Sequence, residues 1–236
     1  MSTIPKIIHY CWLSGKPISK RYKQYMDTWK EPLKDYEFML WDQKTFDVES
    51  HPFVKRCIEV KDWAHASDYI RLWALYNYGG IYLDCDVVVY KNFDDLLHLP
   101  YAFGLELDNY INPWLLETAV MMTQPGNSFI KKCLDFYDTN IDYSNVKLIS
   151  VYMREVMIKN GYRVREIHKH NWVDLGEKYI NVFPKEYFSP KFYKNPDIKI
   201  SPHTYCCHMF NNGWFDTKGK GYEFIKSTGH VRFKDS

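Results

Sequence analysis

The chain has 236 residues, of which 46% are hydrophobic and 18% aromatic, and its formal net charge is +2. This length and composition are enough for one well-packed domain with a large core. The balanced charge argues against binding of nucleic acid through bulk electrostatics, and no apolar run reaches the roughly 18 residues of a membrane-spanning helix.

The N-terminus and the cysteines predict a soluble protein of a reducing, cytoplasmic compartment. The opening residues MSTIPKIIHYCW lack the apolar length of a signal peptide. The six cysteines form no C-x-x-C pair, and several lie inside apolar runs, as reduced core thiols do. His203, Cys206, Cys207 and His208 all fall within six residues, whereas structural zinc sites usually draw ligand pairs from separated segments, so zinc is disfavoured.

The first predicted elements are a strand, a helix and a second strand. Residues 5–12 (PKIIHYCW) predict a buried strand, residues 19–31 an amphipathic helix, and residues 36–42 (YEFMLWD) another strand. Strand, helix and strand in this order form a βαβ unit, which indicates a parallel sheet in an α/β domain.

The next pattern is helical and ends at two glycines. Apolar positions repeat with helical spacing from Pro52 to Tyr78, and Gly79-Gly80 is typical of a helix C-terminus. A strand follows from Ile81. Further along, another helix is predicted around residues 127–138, and residues 180–236 predict ordered loops with short strands.

Asp84 and Asp86 interrupt the predicted strand IYLDCDVVVY. On a strand, alternate side chains share a face, so the two carboxylates would point one way and Cys85 the other. Neighbouring carboxylates repel each other unless a cation lies between them, and oxygen ligands suit Mg²⁺ or Mn²⁺. The alternative is a strand end whose acids simply face solvent.

A second charged pair is predicted to lie beside these aspartates. Asp68 and Arg71 are spaced i, i+3 and therefore lie on one helix face. Because the chain turns back at Gly79-Gly80, the strand should bring Asp84 and Asp86 level with this pair. The alternative interpretation of Asp68 and Arg71 is a surface salt bridge worth less than about 1 kcal/mol.

These residues carry a family resemblance. HASDYIRLWALYNYGGIYLDCDVVVYKNFDDLL closely resembles the sugar-binding, DXD-containing segment of the Och1-like glycosyltransferases of family 32. IPKIIHYCW resembles the first strand of that family, and TYCCHMFNNGW its C-terminal histidine-to-tryptophan segment. The resemblance implies a GT-A fold, a nucleoside-diphosphate sugar donor, most simply a UDP-sugar, and a divalent metal. Bacterial members of similar length act in capsule, lipopolysaccharide or exopolysaccharide assembly.

The resemblance also implies roles for single residues. Asp86 would bind the metal directly, and Asp84 would contact the donor ribose or sugar and the metal shell. Asp68 and Arg71 would hold sugar hydroxyls, with Arg71 also near the phosphates. His208, six residues before Trp214 as in the family, would be the third protein ligand, and its imidazole favours Mn²⁺ over Mg²⁺.

Four further residues are candidates with competing interpretations. Trp12, at the end of the first strand, would stack on the nucleotide base or belong to the core. Glu117 stands where many relatives have asparagine and would meet a sugar hydroxyl or act in catalysis. Lys218 and Lys220 would close over the pyrophosphate, or belong to a solvated loop.

The sequence therefore predicts a single α/β domain of GT-A type, with a Rossmann-like, mostly parallel sheet and flanking helices. Residues 1–100 would form the nucleotide-sugar-binding half, and residues 101–236 a more irregular acceptor-side half. The predicted function is metal-dependent, retaining transfer of a hexose-type sugar to a saccharide or lipid-linked saccharide acceptor, with peripheral membrane contact as an option. A metal-dependent phosphohydrolase or nucleotidyltransferase, and a non-catalytic sugar-binding protein, are the alternatives.

Overall fold

The computed structural model describes residues 3–106, 115–192, 195–211, 218, 220–225 and 230–234. The strands are β1 (Ile7–Cys11), β2 (Glu37–Trp41), β3 (Gly80–Leu83), β4 (Val87–Val89), β5 (Tyr101–Glu106), β6 (Leu115–Thr123), β7 (Arg163–Glu166), β8 (Tyr179–Phe183), β9 (Lys191–Phe192), β10 (Asn195–Ile198), β11 (Cys206–His208), β12 (Tyr222–Ile225) and β13 (His230–Phe233). The α-helices are α1 (Lys20–Asp27), α2 (Pro52–Glu59), α3 (Trp63–Tyr78), α4 (Ser128–Thr139) and α5 (Ile149–Lys159), and short 3-10 helices span Val48–Ser50, Asp94–Leu96, Lys169–Asn171 and Lys185–Tyr187.

Seven strands form the main sheet, in the order β2-β1-β3-β6-β5-β8-β7. Strand β6 is antiparallel to both of its neighbours, and the other four pairings are parallel. The predicted βαβ unit is present, since β1 and β2 pair in parallel on either side of α1 in the chain. The prediction of an α/β fold with a mostly parallel sheet is confirmed.

Apolar side chains cover both faces of the sheet. Helices α2, α3, α4 and α5 pack their buried residues on one face. The other face is covered by the segment after α1, by β4, and by residues 93–99. Trp29, which is 1% exposed, belongs to this second layer and donates its indole N–H to the carbonyl of Val87 at 2.7 Å. The layer thereby fixes the start of β4.

The predicted helical stretch from Pro52 to Tyr78 is two helices rather than one. Lys61 lies between them with φ 61°, a left-handed conformation that ends α2. Asp62 then caps α3, because its side chain accepts a hydrogen bond from the backbone N–H of His65 at 3.3 Å. The break gives α3 a new start and puts its first turn at the edge of the sheet.

The predicted stop at Gly79-Gly80 is confirmed. Gly79 has φ 64° and Gly80 has φ 99°, values that L side chains rarely adopt. Space is also short, since a Cβ on Gly80 would lie 2.7 Å from the carbonyl oxygen of Ile7. The tight turn sends the chain from α3 directly into β3, between β1 and β6.

The second half of the chain is more regular than the sequence suggests. Strands β5, β6, β7 and β8 all come from residues after 100, so the main sheet is continuous across the expected boundary between the halves. Among the described residues, the small two-stranded pairings β9–β10, β4–β11 and β12–β13 lie outside the main sheet. One of these, β4–β11, places His208 opposite Val87.

All six cysteines are free thiols, five of them buried and Cys11 partly buried. Among the helices of the described residues, none combines the length and apolarity needed to cross a bilayer.

Candidate functional site

A cavity of about 400 Å³ opens at the edge of the sheet where β1, β3 and β5 end. The carboxyl edge of parallel strands is the usual ligand site of an open α/β sheet. Most of the predicted site residues line it, and so do several that the sequence analysis did not select. The polar and aromatic lining residues are Trp12, Ser14, Tyr22, Trp63, His65, Ser67, Asp68, Arg71, Tyr82, Asp84, Asp86, Glu106, Glu117, Thr118, Ser150, His208, Phe210, Lys220 and Tyr222.

Asp84 and Asp86 lie in a turn, not on a strand as the sequence predicts. Strand β3 ends at Leu83 and β4 begins at Val87, and the N–H of Val87 donates to the carbonyl of Asp84 at 3.0 Å. Strand alternation therefore does not explain why the two carboxylates point the same way. The turn does, because it folds the chain back and brings both side chains to the cavity wall.

His208 joins the two aspartates from the neighbouring strand β11. Its Nε2 lies 3.5 Å from Oδ1 of Asp86, and ligand atoms of Asp84, Asp86 and His208 all lie within 4.8 Å of one another. The other oxygen of Asp86, Oδ2, accepts a hydrogen bond from the N–H of Asn211 at 2.9 Å, which fixes the carboxylate. Two carboxylates and one imidazole fit Mn²⁺ or Mg²⁺, with the imidazole favouring Mn²⁺.

Glu117 lies behind His208 rather than across the cavity from it. Its Oε1 is 3.4 Å from Nδ1 of His208, an ion-pair contact rather than a hydrogen bond, and it accepts the N–H of Ala119 at 2.9 Å. Glu117 is only 1% exposed. A carboxylate on the far ring nitrogen of a metal-binding histidine orients the ring and makes it a better ligand. These contacts describe a positioning residue, and the predicted catalytic role of Glu117 stays a prediction.

The electrostatics of this group depend on burial and on the two acids. Burial lowers the pKa of His208, but the carboxylates of Asp86 and Glu117 more than offset it and hold the pKa well above its usual value. Burial raises the pKa of Asp84, and Asp86 adds to that. The protonation of the imidazole and that of the nearby carboxylates therefore depend on each other. A bound divalent cation would change both.

Asp68 and Arg71 form a buried pair, so the alternative of a surface salt bridge is wrong. Arg71 is 4% exposed, and its Nη2 lies 2.8 Å from Oδ1 of Asp68 and 3.4 Å from Oδ1 of Asp84. Its Nη1 donates to the carbonyl of Thr118 at 2.7 Å, and the guanidinium lies 4.5 Å from the ring centre of Tyr82. Protein groups already use most of the Arg71 donors, and two of these groups are the carboxylates of Asp68 and Asp84.

The pKa of Asp68 reflects two opposing effects. Burial raises its pKa to about 6, although the guanidinium of Arg71 lowers it. The orientation of the Asp84 carboxylate is also fixed, because the Tyr82 hydroxyl donates to Oδ1 of Asp84 at 2.8 Å. Both carboxylates line the cavity and have preset orientations, which suits hydrogen bonding to the hydroxyls of a ligand.

The remaining predicted residues divide into two groups. Trp12 lines the cavity and is partly exposed, so it does not belong to the core, and its ring meets Tyr22 edge-on at 5.4 Å between centroids. Lys220 also lines the cavity and donates to the hydroxyl of Tyr222 at 2.9 Å. Lys218 is exposed and is not among the lining residues, and Trp214 lies outside the described residues.

Tyr22, Tyr82 and His65 are among the lining residues that sequence reasoning missed. Tyr22 and Tyr82 support Trp12 and Arg71, and His65 lines the wall beside Asp68. His65 and Asp68 are spaced i, i+3 in HASDYIR, so the helical period alone would have placed both on one face. Tyr22 gave no comparable signal, because its position depends on how α1 packs.

Residues 19–102 match the family model described as "Glycosyltransferase sugar-binding region containing DXD motif". This region contains Asp68, Arg71, Asp84 and Asp86. Trp12, Glu117 and His208 lie outside it.

Two curated proteins show the same similarity. "Glucan organizing enzyme 1" of Cryptococcus neoformans var. grubii is 40% identical over 85 residues, which cover 34% of this chain and 23% of that protein. "Inositol phosphoceramide mannosyltransferase 3" of Schizosaccharomyces pombe is 33% identical over 103 residues, covering 42% of this chain and 29% of that protein. The matched segments thus span about a quarter of these relatives.

Among solved structures, "PaToxG Glycosyltransferase" aligns with a TM-score of 0.49 and 22% identity. The alignment covers 67% of this chain and 70% of that one.

Proposed function

We propose that this chain, whose residues 19–102 match a glycosyltransferase sugar-binding region with a DXD motif, is a metal-dependent glycosyltransferase of GT-A type. The observation that carries the proposal is the convergence of Asp84, Asp86 and His208 within 4.8 Å, in a cavity that also contains the buried Asp68–Arg71 pair. A site for a nucleoside-diphosphate sugar requires two kinds of group. Oxygen and nitrogen ligands hold the divalent cation, and carboxylates bind the sugar hydroxyls.

Each group has a distinct task in this proposal. Asp84, Asp86 and His208 would hold Mn²⁺ or Mg²⁺, which as a Lewis acid stabilises the charge of a diphosphate leaving group. Even a single unit-charge contact at 4 Å is worth about 4 kcal/mol at an effective dielectric of 20. Glu117 holds the imidazole of His208, and Arg71 holds the carboxylates of Asp68 and Asp84. Trp12 offers a ring on which a nucleotide base can stack.

We further propose that transfer retains the anomeric configuration. Inversion needs a general base on the face opposite the leaving group. Asp68 and Asp84 are paired with Arg71, and Glu117 is buried against His208, so none of these three carboxylates is free to deprotonate an acceptor. The family resemblance implies the same outcome, with the leaving phosphate receiving the acceptor proton on the same face.

The donor and acceptor classes are proposed from the relatives and from the sequence. One relative is named as a mannosyltransferase acting on inositol phosphoceramide, and another as a glucan organizing enzyme. A hexose donor, a UDP-sugar or GDP-mannose, and a saccharide or lipid-linked saccharide acceptor are consistent with both names. Capsule or lipopolysaccharide assembly, and a cytoplasmic location with contact to the inner face of the membrane, remain part of the proposal on the family resemblance alone.

The test is a donor screen with metal controls. The protein is incubated with UDP-glucose, UDP-galactose, UDP-N-acetylglucosamine and GDP-mannose, with Mn²⁺, with Mg²⁺ or with a chelator, and release of UDP or GDP is measured. We expect release from one donor in the presence of metal. Equal hydrolysis of nucleotides that carry no sugar would instead indicate a phosphohydrolase. Binding of a donor without release of UDP or GDP would indicate a sugar-binding protein.

The stereochemical proposal is tested on the product of the same reaction. Proton NMR of freshly formed product, made from an α-linked donor, reports the coupling at the anomeric centre. An α-linked product is expected. A β-linked product would refute retention.

A further inference from the structure

His65 forms a buried carboxylate–imidazole pair at the wall of the cavity. It lies in the first turn of α3 and is 2% exposed. Its Nδ1 is 2.8 Å from Oδ2 of Asp62, which is fully buried. Because a carboxylate only accepts hydrogen bonds, Nδ1 of His65 carries a proton and donates it to Asp62.

The other ring nitrogen of His65 has no such partner. Nε2 is buried and has no hydrogen-bond partner among the residues that the structure describes. Leaving a buried polar atom unpaired costs free energy, and native proteins seldom do so without a functional reason. His65 lines the cavity, so a ligand that enters there is the candidate partner of Nε2.

The surroundings favour a neutral ligand group at this nitrogen. Asp62 and Asp68 both lie close to His65, and they would repel a phosphate. The Arg71 guanidinium is occupied by Asp68, Asp84, Ser67 and Thr118. Nε2 accepts a hydrogen bond when the ring is neutral and donates one when it is charged, and a sugar hydroxyl can meet it in either state.

We propose that His65, held by Asp62, is a recognition residue that hydrogen-bonds a ring hydroxyl of the donor sugar through Nε2. The proposal rests on the proposed glycosyltransferase function and adds a sugar contact to it. His65 and Asp68 stand one turn apart on the same face of α3, so together they present an imidazole and a carboxylate to one sugar ring. Arg71 links Asp68 to Asp84, and this places the ring next to the metal site.

Two substitutions separate recognition from a structural role. His65→Asn keeps a side-chain amide near the position of Nδ1, so it preserves the hydrogen bond to Asp62 and removes the atom at the cavity. His65→Gln places an amide near the position of Nε2 and gives up the bond to Asp62. A merely structural His65 predicts that Asn is tolerated and Gln is not, whereas recognition predicts the reverse.

The expected result compares the donor with its nucleotide. With whichever donor of the screen the wild-type protein uses, His65→Asn should lower kcat/KM about 10- to 100-fold, the range for a lost hydrogen bond in a buried site. The dissociation constant for UDP or GDP alone, with Mn²⁺, should change less than twofold. His65→Gln should recover at least part of kcat/KM.

Several results would overturn the proposal. They are a kcat/KM of His65→Asn within twofold of the wild-type value, an equal loss of UDP or GDP affinity, or better activity in Asn than in Gln. Circular dichroism and melting temperature check that each variant is folded.

A measurement on the wild-type protein does not depend on variants. In nitrogen-15 NMR of the histidine rings, Nε2 of His65 should shift when the donor is added and not when UDP or GDP is added. A resonance that does not respond to the donor would refute the contact. If the wild-type protein uses none of the donors, the proposed function fails and the sugar contact falls with it.

Discussion

The three candidate metal ligands, Asp84, Asp86 and His208, are interdependent. Two carboxylates in one turn repel each other, and His208 lies between the acids Asp86 and Glu117. A divalent cation removes the repulsion between the carboxylates, and His208 would release its ring proton on binding it. Single substitutions should therefore show which residues bind the metal and which only position a ligand.

Asp86→Asn should abolish metal-dependent activity and leave the fold intact. The variant loses a charged ligand, so we expect activity to fall by at least about a hundredfold. Mn²⁺ should raise the melting temperature of the wild-type protein, because it binds the folded state, and should not raise that of the variant. Asp135→Asn, which changes an exposed carboxylate on α4, is the control and should behave as wild type. Full activity in a folded Asp86→Asn protein contradicts the metal site.

Glu117→Gln should weaken the metal site without removing the chemistry. Loss of a partner on the far side of a ligating histidine typically costs 10- to 100-fold in metal affinity. We expect the Mn²⁺ concentration for half-maximal activity to rise by about that factor, and excess Mn²⁺ to restore activity. His208→Ala should shift the same midpoint further. If saturating Mn²⁺ fails to rescue Glu117→Gln, Glu117 acts on the substrate, as the sequence allowed.

Trp12→Ala should weaken binding of the nucleoside diphosphate. Stacking of a base on an aromatic ring is worth about 1–3 kcal/mol, so we expect the dissociation constant for UDP or GDP to rise at least about fivefold. Trp12→Phe keeps a ring at the position and serves as the matched variant, with a smaller effect. Isothermal titration calorimetry in Mn²⁺ measures both. An unchanged affinity in Trp12→Ala would remove Trp12 from the site.

At the level of elements, the turn between α3 and β3 sets the position of the aspartates. His9 of β1 lies beneath it, and its Nε2 donates to the carbonyl of Gly79 at 2.8 Å. Trp41 in turn donates its indole N–H to Nδ1 of His9 at 3.2 Å. Strands β1 and β2 therefore hold the turn from which β3 and the DXD segment follow.

Gly80→Ala should destabilise the protein more than a matched glycine substitution elsewhere. A Cβ on Gly80 would meet the carbonyl oxygen of Ile7 at 2.7 Å and Nε2 of His9 at 3.1 Å. Gly126 has a positive φ of 73° but open space around it, so Gly126→Ala measures the backbone cost alone, about 1–2 kcal/mol. We expect Gly80→Ala to cost clearly more in urea unfolding. Equal losses would mean that the turn can relax.

At the level of the whole molecule, His9 links stability to pH. His9 is fully buried, and burial lowers its pKa from 6.5 to about 4, although the hydrogen bond to Gly79 raises it. Between these two values the unfolded chain binds a proton that the folded protein does not. The contribution of His9 is therefore complete above pH 6.5 and decreases as the pH falls towards 4, by about 3 kcal/mol in total.

Unfolding experiments can isolate this contribution. We expect the free energy of unfolding of the wild-type protein to approach that of His9→Gln as the pH is lowered from 7.5 to 4.5, because glutamine does not titrate. Urea titrations followed by tryptophan fluorescence give both curves. Parallel curves over this range would show that His9 is not held neutral.

The sequence by itself determined the features that depend on short spacing. Apolar strand runs and a helical pattern predicted the βαβ unit, the glycine pair predicted the end of α3, and i, i+3 spacing put Asp68 and Arg71 on one face. These predictions were right because neighbouring residues impose them locally. The same patterns missed the break at Lys61, because a stop within an apolar periodic stretch leaves the period almost unchanged.

Only the tertiary structure decided how the site is assembled. The turn at Asp84–Asp86 replaced the expected strand, since pairing of β3 with β6 ends at Leu83. His208 meets Asp86 because β11 pairs with β4, and Glu117, which lies at a register shift between β5 and β6, contacts His208. The unpaired nitrogen of His65 also becomes visible only when its surroundings are known. Such contacts join residues far apart in the chain, and packing rather than local periodicity selects them.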